Sequence, residues 1–178
     1  MKDIICLFLV FTLLGCIGTS EVDKSTGEGY FPRVSGLDLT GEKHVLPDDF
    51  KTEKMVLIVA YLHEQQPDVD LWFPHIESLM KEHKSLEYFE VPTIAKLMAP
   101  IRSVIYNGMR GGIKTEFMRQ HVVTLHLEKE DFNKHLGITD ENQIYVYLLE
   151  KDGRILQRWD GMYSEEKFKQ LKELALKE

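Results

Sequence analysis

The chain has 178 residues, 43% of them hydrophobic and 29% charged, with a formal net charge of −7 and a pI near 5.5. That composition suits one globular domain with a real core, and its acidic balance excludes general affinity for nucleic acid, which needs a basic footprint. Both cysteines, Cys6 and Cys16, precede residue 17, so residues 17–178 can hold no disulfide, thiol nucleophile or cysteine zinc site.

Residues 1–16 read as an export signal. Lys2 supplies a positive start, and Ile4 to Leu14 form an apolar stretch too short for a comfortable membrane span. It ends in Leu13-Leu14-Gly15-Cys16, which resembles a lipobox with Cys16 as the residue that receives lipid. Residues 17–30 are rich in Gly, Ser and Thr and read as a flexible tether. The folded domain is expected over 31–178.

Val34, Leu37, Leu39, Val45 and Leu46 around Thr40-Gly41-Glu42 predict a β-hairpin, followed by a turn at Pro47 to Phe50. Met55 to Tyr61 reads as a central strand buried on both faces. A polar loop follows, containing His63-Glu64-Gln65-Gln66-Pro67-Asp68. The next helix is expected to start at Asp70, a good N-cap, with Pro74 in its first turn. Its apolar face comprises Trp72, Phe73, Ile76, Leu79 and Met80.

Leu86 to Val91 predicts a second parallel strand, ended by Pro92, with Thr93 capping a kinked helix that stops at Asn107-Gly108. Met109 to Gly112 then forms a loop. A short helix over Thr115 to Gln120, a strand over Val122 to Leu127 and a helix over Lys129 to Leu136 follow, with Gly137 as its stop signal. Gln143 to Glu150 and Arg154 to Asp160 pair across the turn Lys151-Asp152-Gly153. Ser164 caps a last helix whose buried stripe is Phe168, Leu171, Leu174 and Ala175. This order matches an α/β, thioredoxin-like, three-layer α/β/α fold. It has a mixed central sheet, an N-terminal β-hairpin and a helical insertion at 93–121.

Four motifs, in order, carry a further resemblance. They are Tyr61 with His63-Glu64-Gln65-Gln66, Asp70 and Trp72; Glu90-Val91-Pro92-Thr93-Ile94; Asn107 to Gly112; and Leu136-Gly137-Ile138 with Asp152-Gly153. The chain thereby resembles the thioredoxin-like family of the mitochondrial ATP-synthase assembly factor and its uncharacterised bacterial relatives, over most of 31–163. His63 stands where that family has Arg. The founding role implied by the resemblance is assembly of an ATP-synthase membrane subunit. A lipobox places this chain outside a cytoplasm, so that role does not transfer directly.

The fold invites thiol redox chemistry, but the loop after the central strand has no cysteine. Nor does a proline stand at Asn142-Gln143, where thioredoxin-like proteins keep a cis-proline. His63-Glu64 begins like a zinc motif but meets Pro67 in a loop. His75 and His83 would lie about 12 Å apart on one helix, too far to share an ion. The histidines therefore read as surface residues, and neither metal nor cofactor is expected. Arg110 in a Gly-rich loop, assisted by Arg119, could hold a carboxylate or phosphate, or could pair with Glu64. Glu64 with Asp68 or Asp70 could form an acid/base pair, but no nucleophile accompanies them.

The remaining candidates form a polar cluster of Glu64, Gln65, Gln66, Asp70, Tyr106 and Arg110. It could recognise a peptide or a small polar ligand, or simply fix the loop. The expected protein is thus a lipid-anchored lipoprotein of the cell envelope, held to the membrane through Cys16. It is redox-inactive and acts as a protein-binding or chaperone-like module. The alternatives are a cysteine-free enzyme of peroxiredoxin or thioredoxin-like descent, and a structural envelope component.

Overall fold

The computed structural model describes residue 22 and residues 27–177. The expected signal segment, Cys16 and most of the tether lie outside the described residues. The fold engages the chain by Tyr30, which bridges to Arg154, while Phe31 N donates to Gly153 O at 2.8 Å.

Seven strands form one mixed sheet in the order β2-β1-β5-β4-β3-β6-β7. The strands are β1 (Val34–Asp38), β2 (Lys43–Leu46), β3 (Lys54–Ala60), β4 (Leu86–Ala95), β5 (Val123–Leu127), β6 (Tyr145–Glu150) and β7 (Ile155–Asp160). The pairs β3/β4 and β4/β5 are parallel and the others antiparallel. The helices are α1 (Gln66–Glu82), α2 (Arg102–Gly112), α3 (Glu116–Gln120), α4 (Lys129–Leu136) and α5 (Glu165–Ala175). Single 3-10 segments cover His63–Gln65 and Lys96–Ile101.

The apolar run of β3 is buried on both sides because helices cover both faces, as expected of a central parallel strand. On one face Val56 and Ile58 pack with Val69, Trp72, Ile76 and Leu79 of α1 and Leu171 and Ala175 of α5. On the other, Met55, Leu57 and Val59 pack with Phe132 and Leu136 of α4 and with Phe31. Phe31 meets Phe132 and Tyr147 edge-on, at 5.8 and 5.7 Å between ring centroids. Gly137 takes a left-handed φ of 63° at the end of α4, a conformation that glycine adopts without steric cost. Ser164 accepts a hydrogen bond from Lys167 N, so the expected cap of α5 forms.

The structure moves several expected boundaries. The helix expected from Asp70 begins at Gln66. Pro67 sits in its first turn, where a fixed φ and a missing N–H suit a helix start. Asp70 is therefore inside α1 and caps nothing, and Pro74 falls mid-helix on the exposed side.

Pro92 does not end β4. It occupies the last rung with β3, opposite Ala60, after which Thr93 to Ala95 pair with Leu125 to Leu127 of β5. Thr93 is thus a buried strand residue rather than a cap. The expected helical insertion narrows to a 3-10 segment and two helices. Within it, α2 runs through Asn107-Gly108 to Gly112. An interior glycine costs about 1 kcal/mol relative to alanine, too little to stop a helix. The tertiary contact made by Tyr106 helps hold this one in place. β6 starts two residues later than expected, at Tyr145.

Candidate functional site

Ligands of α/β sheets gather at the carboxyl ends of parallel strands. Here β3 ends at Ala60, and the chain turns through Tyr61 and Leu62 into the His63–Gln65 segment. Gln65 is only 4% exposed. Its side-chain oxygen accepts from Tyr61 N at 2.8 Å and from Leu62 N at 3.2 Å. Its side-chain nitrogen donates to Glu141 O at 2.7 Å. A glutamine reaching back to the N–H that opens its own turn is one arm of a capping box. The third bond fastens this turn to the segment leading into β6.

A second set of bonds continues the network. Tyr61 Oη donates to Asn133 Oδ1 at 2.6 Å, and Asn133 Nδ2 donates to Glu141 Oε1 at 2.7 Å. Lys129 donates to Glu141 Oε2 at 2.9 Å and lies over the Tyr61 ring. Burial pushes the Tyr61 phenol far above its ordinary range, with Tyr147, Glu141 and Tyr145 adding to the shift, so it stays a neutral donor. The place where the fold would carry redox cysteines is thus a closed polar clasp. Leu62, His63 and Glu64 are its exposed outer surface.

The other two cluster members on this turn point elsewhere. Gln66 Nε2 donates to Asp70 Oδ1 at 3.0 Å, and the Gln66 side chain also hydrogen-bonds Glu90. Glu90 opens one of the four motifs, but the sequence reading did not place it in the candidate site. It lies in β4, opposite Ile58, and only 6% of it is exposed. It lines a narrow cleft with Val69, Asp70, Phe73, Tyr88, Met118 and Val122. Burial pushes its carboxyl up to about 7, against a partial lowering by Gln66, with Asp70 raising it further. The signal was present as a charge inside the apolar strand Leu86–Ala95, on the side facing α1. A carboxyl so placed can exchange a proton near neutral pH.

Tyr106 and Arg110 do not join this turn. Tyr106 Oη donates to Asp38 O at 2.9 Å, at the end of β1. Arg110 is exposed on α2 and so is not in the expected loop; burial raises the Tyr106 phenol, against a partial lowering by Arg110. Arg119 Nε donates to Ile113 O at 2.8 Å and is used inside the insertion.

The histidines also have structural positions. His75 stacks on Tyr163 with 4.3 Å between ring centroids, so it is half-buried rather than a free surface residue. Elsewhere Asp38, Glu42 and His44 bring ligand-type atoms within 4.8 Å of one another. Asp38 Oδ1 accepts from the N–H groups of Thr40, Gly41 and Glu42, and Oδ2 meets His44 Nε2 at 3.1 Å. Burial alone would raise the Asp38 carboxyl, but hydrogen bonds from Thr40, His44 and Glu42 outweigh it and hold the pKa below its ordinary value. That constellation is the keystone of the β1–β2 turn.

Together these features define a thioredoxin-like fold whose usual reaction centre is occupied by a hydrogen-bonded clasp. No family model and no curated protein matches the sequence. Solved structures do match. The thioredoxin domain of a thiol-disulfide oxidoreductase from Bacteroides vulgatus superposes with a TM-score of 0.57 at 15% identity, over 84% of this chain and 98% of that one. A thiol:disulfide interchange protein from Bacteroides sp. gives 0.58 at 15%, over 84% and 90%. The pneumococcal exposed lipoprotein thioredoxin from Streptococcus pneumoniae gives 0.54 at 12%, over 79% and 97%. At such identities the likeness carries the fold and not the chemistry. The first two are named for thiol-disulfide chemistry, whereas residues 17–178 of this chain contain no cysteine.

Proposed function

We propose that this protein is a lipid-anchored, extracytoplasmic binding module with a redox-inactive thioredoxin-like domain, akin to the assembly-factor group that its motifs resemble. It presents the end of β3 to a protein or peptide partner. The observation that carries this reading is the Gln65 clasp. Three hydrogen bonds immobilise the turn without any reactive group, and the immobilised turn displays Leu62, 43% exposed, beside His63 and Glu64. A rigid turn with an exposed apolar residue loses little entropy when a partner binds. The placement outside the cytoplasm rests on the lipobox ending at Cys16, and it is supported by the shared fold of an exposed lipoprotein.

The test is cross-linking of the full chain in its native membrane, followed by partner identification, with wild type compared to a Leu62→Asp, Glu64→Lys variant. Both residues are exposed, so the variant is expected to fold, which its melting temperature checks. A partner lost in the variant supports the reading; an unchanged set of partners overturns it.

The competing reading is a cysteine-free enzyme. Its best residue is Glu90 rather than Glu64, because a buried carboxyl near pH 7 can move a proton, whereas Glu64 lies on the outer surface of the turn. Turnover abolished by Glu90→Gln but retained in Glu64→Gln would replace the binding reading.

A further inference from the structure

The chain is acidic overall, but its insertion is not. Residues 96–120 contain Lys96, Arg102, Arg110, Lys114 and Arg119 against Glu116 alone, in a protein of net charge −7. The same segment carries apolar side chains that its own fold leaves uncovered. No residue of α2 is buried. The half-buried side holds Ile105, Tyr106 and Met109, and the Tyr106 bond to Asp38 O pins it to the body. On the open side Val104 is 70% exposed, Ile101 43% and, one turn earlier, Met98 38%. Arg110, six residues beyond Val104 on α2, and Lys114, just past the end of the helix, are also exposed. Lys96 is offset by Glu128 at 3.8 Å, and Arg102 is half-buried near His126. Arg110 and Lys114 are therefore the basic residues that this segment presents most openly.

Met98 and Ile101 of the 3-10 segment and Val104 of α2 form a short uncovered apolar stripe, the rest of the open side of α2 being Ser103, Asn107, Gly108 and Gly111. With Arg110 and Lys114 exposed further along the chain, this segment has the chemistry of an interfacial contact. The apolar side enters the boundary of the acyl chains, while Lys and Arg meet lipid phosphates. An acidic body makes that orientation selective, because an anionic surface repels the rest of the domain and attracts this segment. We infer that the insertion 96–120 docks the domain face-down on a membrane containing anionic phospholipids. The inference rests on the anchored reading for proximity alone. A lipid at Cys16 would turn a weak surface contact into an intramolecular one at high effective concentration. Docking would then fix which pole of the sheet faces away from the membrane.

The test uses the full lipidated chain, reconstituted in vesicles of phosphatidylcholine alone or of phosphatidylcholine with phosphatidylglycerol. An environment-sensitive fluorophore is placed at Val104→Cys, or at Glu173→Cys, an exposed position of α5, as a control. The expected result is a blue shift at position 104 on the anionic vesicles only, and no shift at 173. It should be lost in the Arg110→Gln, Lys114→Gln variant. It should also be lost when salt rises from about 0.1 to about 1 M and the screening length falls from about 10 to about 3 Å.

Equal emission at position 104 on both vesicle types overturns the inference. So does a shift that appears without vesicles and grows with protein concentration, which would mean that a second copy covers the patch. Failure of the anchor is read separately, as dye uptake by the wild type at Cys16 or absence of co-flotation with either vesicle. Excess anionic vesicles added to that protein still decide whether position 104 inserts.

Discussion

Gln65, in the turn after β3, and Glu90, midway along the neighbouring strand β4, are both buried polar side chains, yet their surroundings differ sharply. Gln65 has two backbone donors and one carbonyl acceptor around its amide, so its polar atoms are well matched. Glu90 lies in a cleft lined by Val69, Phe73, Tyr88, Met118 and Val122, with Gln66 to hydrogen-bond it and Asp70 as a like charge. A satisfied buried amide rigidifies its surroundings, whereas a buried carboxyl without a cation resists ionisation. One region is thus held in place by its bonds, and the other carries a carboxyl that burial pushes up to about 7.

The comparison can be broken at each end. Gln65→Ala should give the largest effect. It strands the Tyr61 and Leu62 N–H groups and the Glu141 carbonyl, and we expect a loss of about 3–4 kcal/mol in urea unfolding. A loss under about 1 kcal/mol would mean that the turn is not held by this residue.

Glu90→Gln tests the other end. The carboxyl is raised from 4.5 to about 7 in the fold, so the folded state binds the proton more tightly than the unfolded chain. Its stabilising contribution is complete below pH 4.5 and is lost as pH rises through about 7. Relative to wild type, Glu90→Gln should therefore be nearly neutral at pH 4 and more stable by about 3 kcal/mol at pH 8. Parallel stability–pH curves for the two proteins would remove the cleft's distinctive character.

Tyr61→Phe should cost about 1 kcal/mol, since it deletes the bond to Asn133 but leaves the ring packed. The smallest effect sharpens the contrast. Glu64→Gln should change stability by less than about 0.5 kcal/mol, because Glu64 is exposed on the same turn whose buried neighbour holds it.

Some of this could be read from residues in order. The unbroken run Met55–Ala60 announced a central strand, and the stripe Trp72, Ile76, Leu79 announced its covering helix. Local rules were sufficient there, because side-chain period alone selects the buried face. Ser164 and Gly137 marked real helix ends for the same reason. Local rules misplaced Asp70 and Pro92. Asp70 has the chemistry of a cap, but Pro67 and the preceding turn had already begun the helix. Pro92 has the chemistry of a stop, but β4 changes partners there and continues beside β5.

The candidate site divides in the same way. Gln65 was singled out as a candidate binding residue, but its bonding was not legible, because Glu141 reaches it from 76 residues away in sequence. Tyr106 and Arg110 were grouped with it on motif order, whereas the insertion carries them to the end of β1.

By itself, then, the sequence determined the composition of each layer, the order of strands and helices, and the absence of cysteine from residues 17–178. Those follow from residue type and spacing, which act over one or two turns of chain. Only the tertiary structure decided that the glutamine turn is closed, that Glu90 is buried with no cation paired to it among the described residues, and that α2 buries none of its residues. Burial and hydrogen-bond satisfaction depend on groups brought together across the whole chain, and no local pattern records which of them will meet.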